Sequence, residues 1–212
     1  GLKRKIKRKQ LKDTEAKTIV QRAVGQTDFK GFHGVDVVIE AIVENMEIKQ
    51  KVIQELETVC HEDFIFASNT SSLPLTEMSK AAKKPENVIG MHYFSPVPKM
   101  PLLEIIKTDQ TSEETLATCY EIGKRQGKTC IVVNDMPGFY VNRILCPYLI
   151  EGLLMIEEGV RIEDIDGALT ALGMPIGPIT LLDEVGIDVG AHVMSGNMAE
   201  LLKGREGFKI NY

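Results

Sequence analysis

Apolar and polar positions follow two periods, and the change from one to the other divides the chain. Val35-Asp-Val-Val-Ile39 is dense in β-branched residues and predicts a buried strand. From Glu47 to Val59 the apolar residues Ile48, Val52, Ile53, Leu56 and Val59 keep helical spacing, which predicts an amphipathic helix. Phe64–Ala67 predicts the next strand, Ser68-Asn-Thr-Ser-Ser72 a polar loop, Leu75–Ala82 a short helix and Val88–Met91 a third strand. Leu102–Ile106 and Cys130–Val133 predict two more strands, separated by a helix from Ser112 to Arg125. Ahead of all these, Gly1 to Val24 predicts two helices broken near Asp13. Asp13-Thr14 is expected to cap the second, with Ile19, Val20 and Val24 on one side. Strands alternating with helices indicate an α/β sheet.

Asn134-Asp-Met-Pro-Gly138 ends that pattern, and no strand is predicted from Phe139 onward. Phe139 to Glu158 predicts a long apolar helix stopped by Gly159. Ile162 to Leu172 predicts a second, capped weakly by Glu163 or Asp164. Gly173, Pro175, Gly177 and Pro178 predict a turn, and Leu181 to Val193 a further helix. The expected organisation is an α/β domain over residues 1–134, opening with a helical hairpin over 1–25, and a helical domain over 135–212.

Composition narrows the classes of partner. At 212 residues and 43% hydrophobic, the chain is long enough for a buried core and one or two domains. The net charge of -5 argues against nucleic acid as a partner of the whole chain. The charge is uneven, however: Lys3, Arg4, Lys5, Lys7, Arg8, Lys9 and Lys12 make the opening helix basic, by default a solvated face. Cys60, Cys119, Cys130 and Cys146 are widely spaced without a C-x-x-C pattern, and are expected to be reduced thiols. No metal-ligand spacing, membrane-span run or signal peptide is evident.

The candidate chemistry lies in two runs. His92 and Glu104 are twelve residues apart, each at or near the end of an apolar run, with Pro96, Pro98 and Pro101 between them. Two strands side by side would bring imidazole and carboxylate into contact, fixing the ring tautomer and freeing the other nitrogen as a base. A histidine there is also readily explained as a structural hydrogen-bonding group. Glu104 is harder to explain that way, because a carboxylate in an apolar strand needs a partner. The first strand leads into Glu40-Ala-Ile-Val-Glu44-Asn45, the second into the Ser68–Ser72 loop and the third into His92. Three successive strand ends thus deliver polar groups to the carboxyl edge, where open α/β sheets bind ligands. His33, His61 and His192 have no such context and are expected to be surface or structural residues.

Phe66-Ala-Ser-Asn-Thr-Ser-Ser-Leu73, Gly90-Met-His-Tyr-Phe-Ser-Pro96, Leu102-Leu-Glu-Ile-Ile106 and Pro137-Gly-Phe-Tyr-Val-Asn-Arg143 resemble successive motifs of L-3-hydroxyacyl-CoA dehydrogenases. The resemblance extends at least from Gly1 to Val193. Its His-Tyr-Phe-Ser-Pro form looks most like the dehydrogenase part of the mitochondrial trifunctional enzyme α subunit. It implies NAD as cofactor, an acyl-CoA substrate and oxidation of the 3-hydroxyl to a 3-keto group in fatty acid β-oxidation. His92 would be the base, Glu104 its orienting carboxylate, and Ser71 and Asn142 contacts near the reacting oxygen. Glu44 and Lys49 would contact the dinucleotide, as would Ser71. Ser95, which stands where monofunctional relatives have Asn, would also contact the nucleotide. Arg8 or Lys9 would meet CoA phosphates. The mitochondrial matrix is implied, with peroxisome or cytoplasm as alternatives, and a homodimer or a place in a larger β-oxidation complex.

Relatives bind NAD through a Gly-rich turn in a first βαβ unit. No G-x-G-x-x-G occurs in this chain. The expected fold is therefore an incomplete Rossmann-type doubly wound sheet followed by an all-α domain, in a fragment that binds NAD weakly by itself. The last residues are also shorter than in relatives, with seams expected near Ser195 and Gly204. An inactive acyl-CoA-binding or scaffold module is the alternative function.

Overall fold

A computed structural model describes residues 1–188 and 190 of the chain. Five strands, β1 (Val37–Glu40), β2 (Ile65–Ser68), β3 (Val88–Tyr93), β4 (Leu102–Lys107) and β5 (Thr129–Asn134), pair in chain order in one sheet. β1, β2 and β3 are parallel, β4 runs antiparallel to β3, and β5 is parallel to β4. Helices α1 (Leu2–Lys7) and α2 (Asp13–Gln21) precede the sheet. α3 (Met46–Leu56), α4 (Leu75–Ser79) and α5 (Glu113–Arg125) join β1 to β2, β2 to β3 and β4 to β5. α6 (Val141–Glu157), α7 (Ile162–Ala171) and α8 (Pro178–Val185) follow the sheet, and no strand follows β5 among the described residues. This is the mixed α/β sheet with a helical C-terminal part expected from the hydrophobic pattern.

Helices cover both faces because alternate strand residues point to opposite sides. Phe66, Val88 and Ile106 pack with Ile53 and Leu56 of α3 and with Leu75 and Met78 of α4. Ile65, Ala67, Ile89, Met91, Leu103 and Ile105 pack on the other face with Cys119 of α5. Gly90 lets α4 close on the sheet: a Cβ there would lie 2.7 Å from Leu75 Cδ1 and 2.8 Å from Ile106 Cδ1.

Several local expectations need correction. The first strand begins at Val37, not Val35, and is half-buried, with Ile39 41% exposed. Among the described residues it pairs on one side only, which leaves its outer edge open. The buried stripe of α3 is Lys49, Ile53 and Leu56, whereas Ile48 and Val59 face solvent. Asp13 does not cap α2; Lys12 occupies the cap, and its amide donates to Glu15 Oε2. Phe139 is outside α6, at φ 49. The cap of α7 is Arg161, whose guanidinium lies beside Glu163 and Asp164.

Pro178 is not part of the turn but opens α8, where its fixed φ suits the first helical position. Asp166 of α7 accepts the amides of Ile179 and Thr180 and the Thr180 hydroxyl, satisfying donors that a helix start leaves free. Any side chain at Gly177 would collide with that carboxylate. His192, the end of the helix expected to reach Val193, and the seams expected near Ser195 and Gly204 lie outside the described residues.

Candidate functional site

The antiparallel pairing of β3 and β4 sets His92 directly opposite Glu104. His92 Nδ1 lies 2.7 Å from Glu104 Oε2, and the two residues are 6% and 0% exposed. The other carboxylate oxygen, Oε1, accepts the amides of Tyr140 at 3.0 Å and Val141 at 2.9 Å. These belong to the start of α6, where unpaired N–H groups and the helix dipole favour negative charge. A buried carboxylate is costly without partners. Glu104 resolves this by bridging the imidazole and the helix. With Nδ1 donating to the carboxylate, Nε2 is left with its lone pair. Phe94 and Phe139 flank the imidazole, with ring centroids at 4.5 and 6.0 Å.

A largely apolar cavity of about 500 Å³ opens at His92, with walls that include Ser95, Met100, Asn142, Leu145 and Leu149. Asn142 Nδ2 donates to the carbonyl oxygen of Ser71 at 3.1 Å. This bond ties the loop after β2 to the first turn of α6. The structure thus brings His92, Glu104, Asn142 and the Ser71 backbone into one region, and places Ser95 on the cavity wall.

A second cluster supports the same loop. Glu44 Oε1 accepts the Thr70 hydroxyl, the Ser71 and Ser72 amides and the Ser72 hydroxyl. Burial pushes the Glu44 carboxyl up, but the Thr70 hydroxyl, the Lys49 charge and the Ser71 amide outweigh it. The carboxyl therefore titrates below its usual range. Lys49 is 1% exposed, and its ammonium lies 2.7 Å from Glu40 and 3.3 Å from Glu44. Glu40 also accepts the Ser68 hydroxyl and the Ile42 amide. The sequence reading did not single out Glu40 as a site residue or anticipate that Lys49 would be buried. The signal was available, because Lys49 stands at helical spacing from Ile53 and Leu56 on the apolar stripe.

Beside this cluster, at the carboxyl edge of β1 to β3, a cavity of about 450 Å³ has Ile39, Ala41, Asn69, Tyr93, Gln126 and Lys128 in its wall. Its wall joins an apolar surface to amide and hydroxyl groups. Arg8 and Lys9 lie in the exposed link between α1 and α2, and neither lines the His92 cavity. His61 is a local structural group whose Nδ1 accepts the Asp63 amide, and His33 sits in a short 3-10 turn. The four cysteines are free, and Cys146 lines the His92 cavity. Among the described residues no helix is long and apolar enough to cross a membrane, and no group of three or more His, Cys, Asp or Glu is placed to hold a metal ion.

Comparison with known proteins gives the same picture over nearly the whole chain. Residues 1–136 match the family model of the 3-hydroxyacyl-CoA dehydrogenase NAD binding domain, and residues 138–210 match that of its C-terminal domain. The chain is similar to (S)-3-hydroxybutyryl-CoA dehydrogenase PaaH1 from Ralstonia eutropha, with 37% identity and a TM-score of 0.87 over 93% of this chain and 72% of that one. M. tuberculosis FadB2 is 35% identical with a TM-score of 0.86, covering 95% of this chain and 72% of the other. 3-Hydroxybutyryl-CoA dehydrogenase from Escherichia coli K12 is 32% identical with a TM-score of 0.89, covering 96% of this chain and 44% of the other.

Proposed function

The chain belongs to the 3-hydroxyacyl-CoA dehydrogenase family, and from that premise we propose that it interconverts L-3-hydroxyacyl-CoA and 3-ketoacyl-CoA with His92 as the base and Glu104 as its orienting partner. The observation that carries this reading is the buried carboxylate held between the imidazole and the start of α6.

In the oxidative direction the 3-hydroxyl donates to His92 Nε2, and its proton passes to that nitrogen. The positive charge that develops on the imidazole meets the Glu104 carboxylate at 2.7 Å. A fixed, buried carboxylate stabilises the imidazolium without reorganising. When bound, NAD supplies the acceptor for the hydride that leaves C3. Asn142 and Ser71 hold the alcohol so that it faces the base, which contributes orientation. The apolar cavity takes the acyl portion and excludes water.

Glu44 acts on the cofactor side by gathering Thr70, Ser71 and Ser72, and Lys49 acts through Glu44. Ser95 stands in the wall of the His92 cavity, and the second cavity, with its apolar surface and its amide and hydroxyl groups, takes the flat rings and sugars of the cofactor in this reading. Arg8 and Lys9 are the proposed phosphate contacts for CoA, on the grounds of their charge. The resemblance to the trifunctional enzyme motifs supports a role in fatty acid β-oxidation in the mitochondrial matrix, as a homodimer or within a larger complex.

Reduction of acetoacetyl-CoA, followed through NADH absorbance with the full-length protein, tests the reaction. Turnover that depends on both compounds is the expected result. Acetoacetyl-CoA binding without NADH consumption would overturn it and establish an acyl-CoA-binding module instead.

A further inference from the structure

The connector between β3 and β4, residues 94–101, has little burial to hold it: from Ser95 to Pro101 every residue is exposed. Yet it forms a wall of the catalytic cavity, since Phe94, Ser95 and Met100 face His92's cavity. On its other side, Val97 and Pro98 line the second cavity, beside Asn69 and Ala41. It therefore separates the region proposed for substrate from the one proposed for cofactor. A short exposed segment in that place needs an external anchor to keep its shape.

The turn between α5 and β5 provides one. Lys128 Nζ donates to the carbonyl oxygens of Val97 at 2.5 Å and Met100 at 2.7 Å. The same ammonium lies 5.9 Å from the centre of the Tyr93 ring. The next amide, that of Thr129, donates to Pro101 O at 2.8 Å. Inside the connector, the Lys99 and Met100 amides both donate to Pro96 O and make a tight turn. Lys128 grips that turn on both sides, at Val97 and at Met100. Its two bonds are charge-assisted and so stronger than neutral ones.

We infer that Lys128 is a positioning residue of the dehydrogenase, holding the 94–101 connector as the partition between the acyl cavity and the cofactor cavity. This rests on the reading given under Proposed function. Lys128 stands in the wall of the second cavity, but both its hydrogen bonds go to the backbone of Val97 and Met100, and through them it acts on the connector.

Three variants of the full-length protein test the inference: Lys128→Met, Lys128→Arg and Arg125→Met. Arg125 stands three residues before Lys128 but pairs with Glu121 and lines neither cavity. Lys128→Met keeps the bulk of the stem and removes the donors. It is expected to raise KM for acetoacetyl-CoA about tenfold with a much smaller change in kcat. Lys128→Arg is expected to stay within threefold of wild type, and Arg125→Met to leave KM unchanged. A KM for Lys128→Met within twofold of wild type would overturn the inference, as would an equal rise in Arg125→Met.

Amide hydrogen exchange supplies a readout that does not depend on turnover. Exchange at Lys99 and Met100 is expected to quicken at least tenfold in Lys128→Met and not in Arg125→Met. Unchanged exchange there overturns the clamp. An inactive wild type with the expected exchange pattern would instead count against the proposed reaction and leave the clamp standing.

Discussion

His92 Nδ1 and Glu104 Oε2 stand 2.7 Å apart across the antiparallel β3–β4 pair, opposite one another in register. The reversal of β4 creates this relationship. A connector of eight residues suffices to turn the chain back, whereas a parallel continuation would need a crossover of a dozen or more residues. The carboxylate then has a second oxygen to spare, and the start of α6 takes it. One side chain thereby couples the base to the helical part of the protein.

Glu104→Gln is the sharpest change to that coupling. An amide can still accept the Tyr140 and Val141 N–H groups, but it cannot neutralise an imidazolium. We predict a loss of roughly 10²–10⁴ in kcat, the scale of general-base catalysis, with the thermal transition little changed. A fall of less than threefold in steady-state turnover would remove Glu104 from the mechanism.

Asn142→Ala cuts the bond from α6 to the Ser71 carbonyl and removes an amide from the cavity wall. The expected result is about a tenfold drop in kcat/KM, since one hydrogen bond of this kind contributes on the order of 1 kcal/mol. Equal kcat/KM in variant and wild type would show that Asn142 neither contacts the substrate nor steadies the loop.

Glu44→Gln removes the charge that Lys49 faces and weakens the set of donors gathered from Thr70 to Ser72. The loop should then hold the cofactor less well. Fluorescence titration with NADH is expected to give a Kd raised about fivefold or more at neutral pH. An unchanged Kd would detach this cluster from cofactor binding.

Asp166 offers a stability test away from the reaction. Burial pushes its carboxyl up, but the Thr180 hydroxyl and the Ile179 and Thr180 amides outweigh this and hold it below the usual aspartate range. A depressed folded value means stability that is present above the unfolded value and lost as pH falls through the folded one. Asp166→Ala should therefore cost about 1–2 kcal/mol at pH 7, the scale of a lost helix cap. Urea denaturation should show the gap between variant and wild type closing below about pH 4. A gap that persists undiminished into acid would mean that the ionised carboxylate is not what holds α8.

Much of this arrangement is visible in the residue order. The β-branched and apolar runs from Val35, Phe64, Val88, Leu102 and Cys130 became the five strands, with ends displaced by one or two residues. The twelve-residue spacing of His92 and Glu104 marked the candidate pair, because a carboxylate in an apolar strand demands a partner. Periodicity carries no information on strand direction, so the antiparallel step and the direct register came only from the fold.

Long-range partners were also beyond reach. The bond from Asn142 to Ser71 spans 71 residues, and that from Lys128 to Val97 spans 31. Nothing in the local composition of either end announces such a bond. Asp166 in α7 appears as an ordinary surface acid until α8 folds back on it. The burial of Lys49 was hidden for a different reason: a charged residue on an apolar stripe ordinarily faces solvent, and here the Glu40 and Glu44 carboxylates meet it.

The central claim is that His92 takes the substrate's proton while Glu104 holds it in place. It is tested most directly by comparing wild type with His92→Gln in NADH-linked reduction of acetoacetyl-CoA at saturating concentrations of both. The account predicts turnover in the wild type and a loss of at least about 10² in kcat in the variant, with acetoacetyl-CoA binding retained. A His92→Gln enzyme that turns over within threefold of wild type would contradict it.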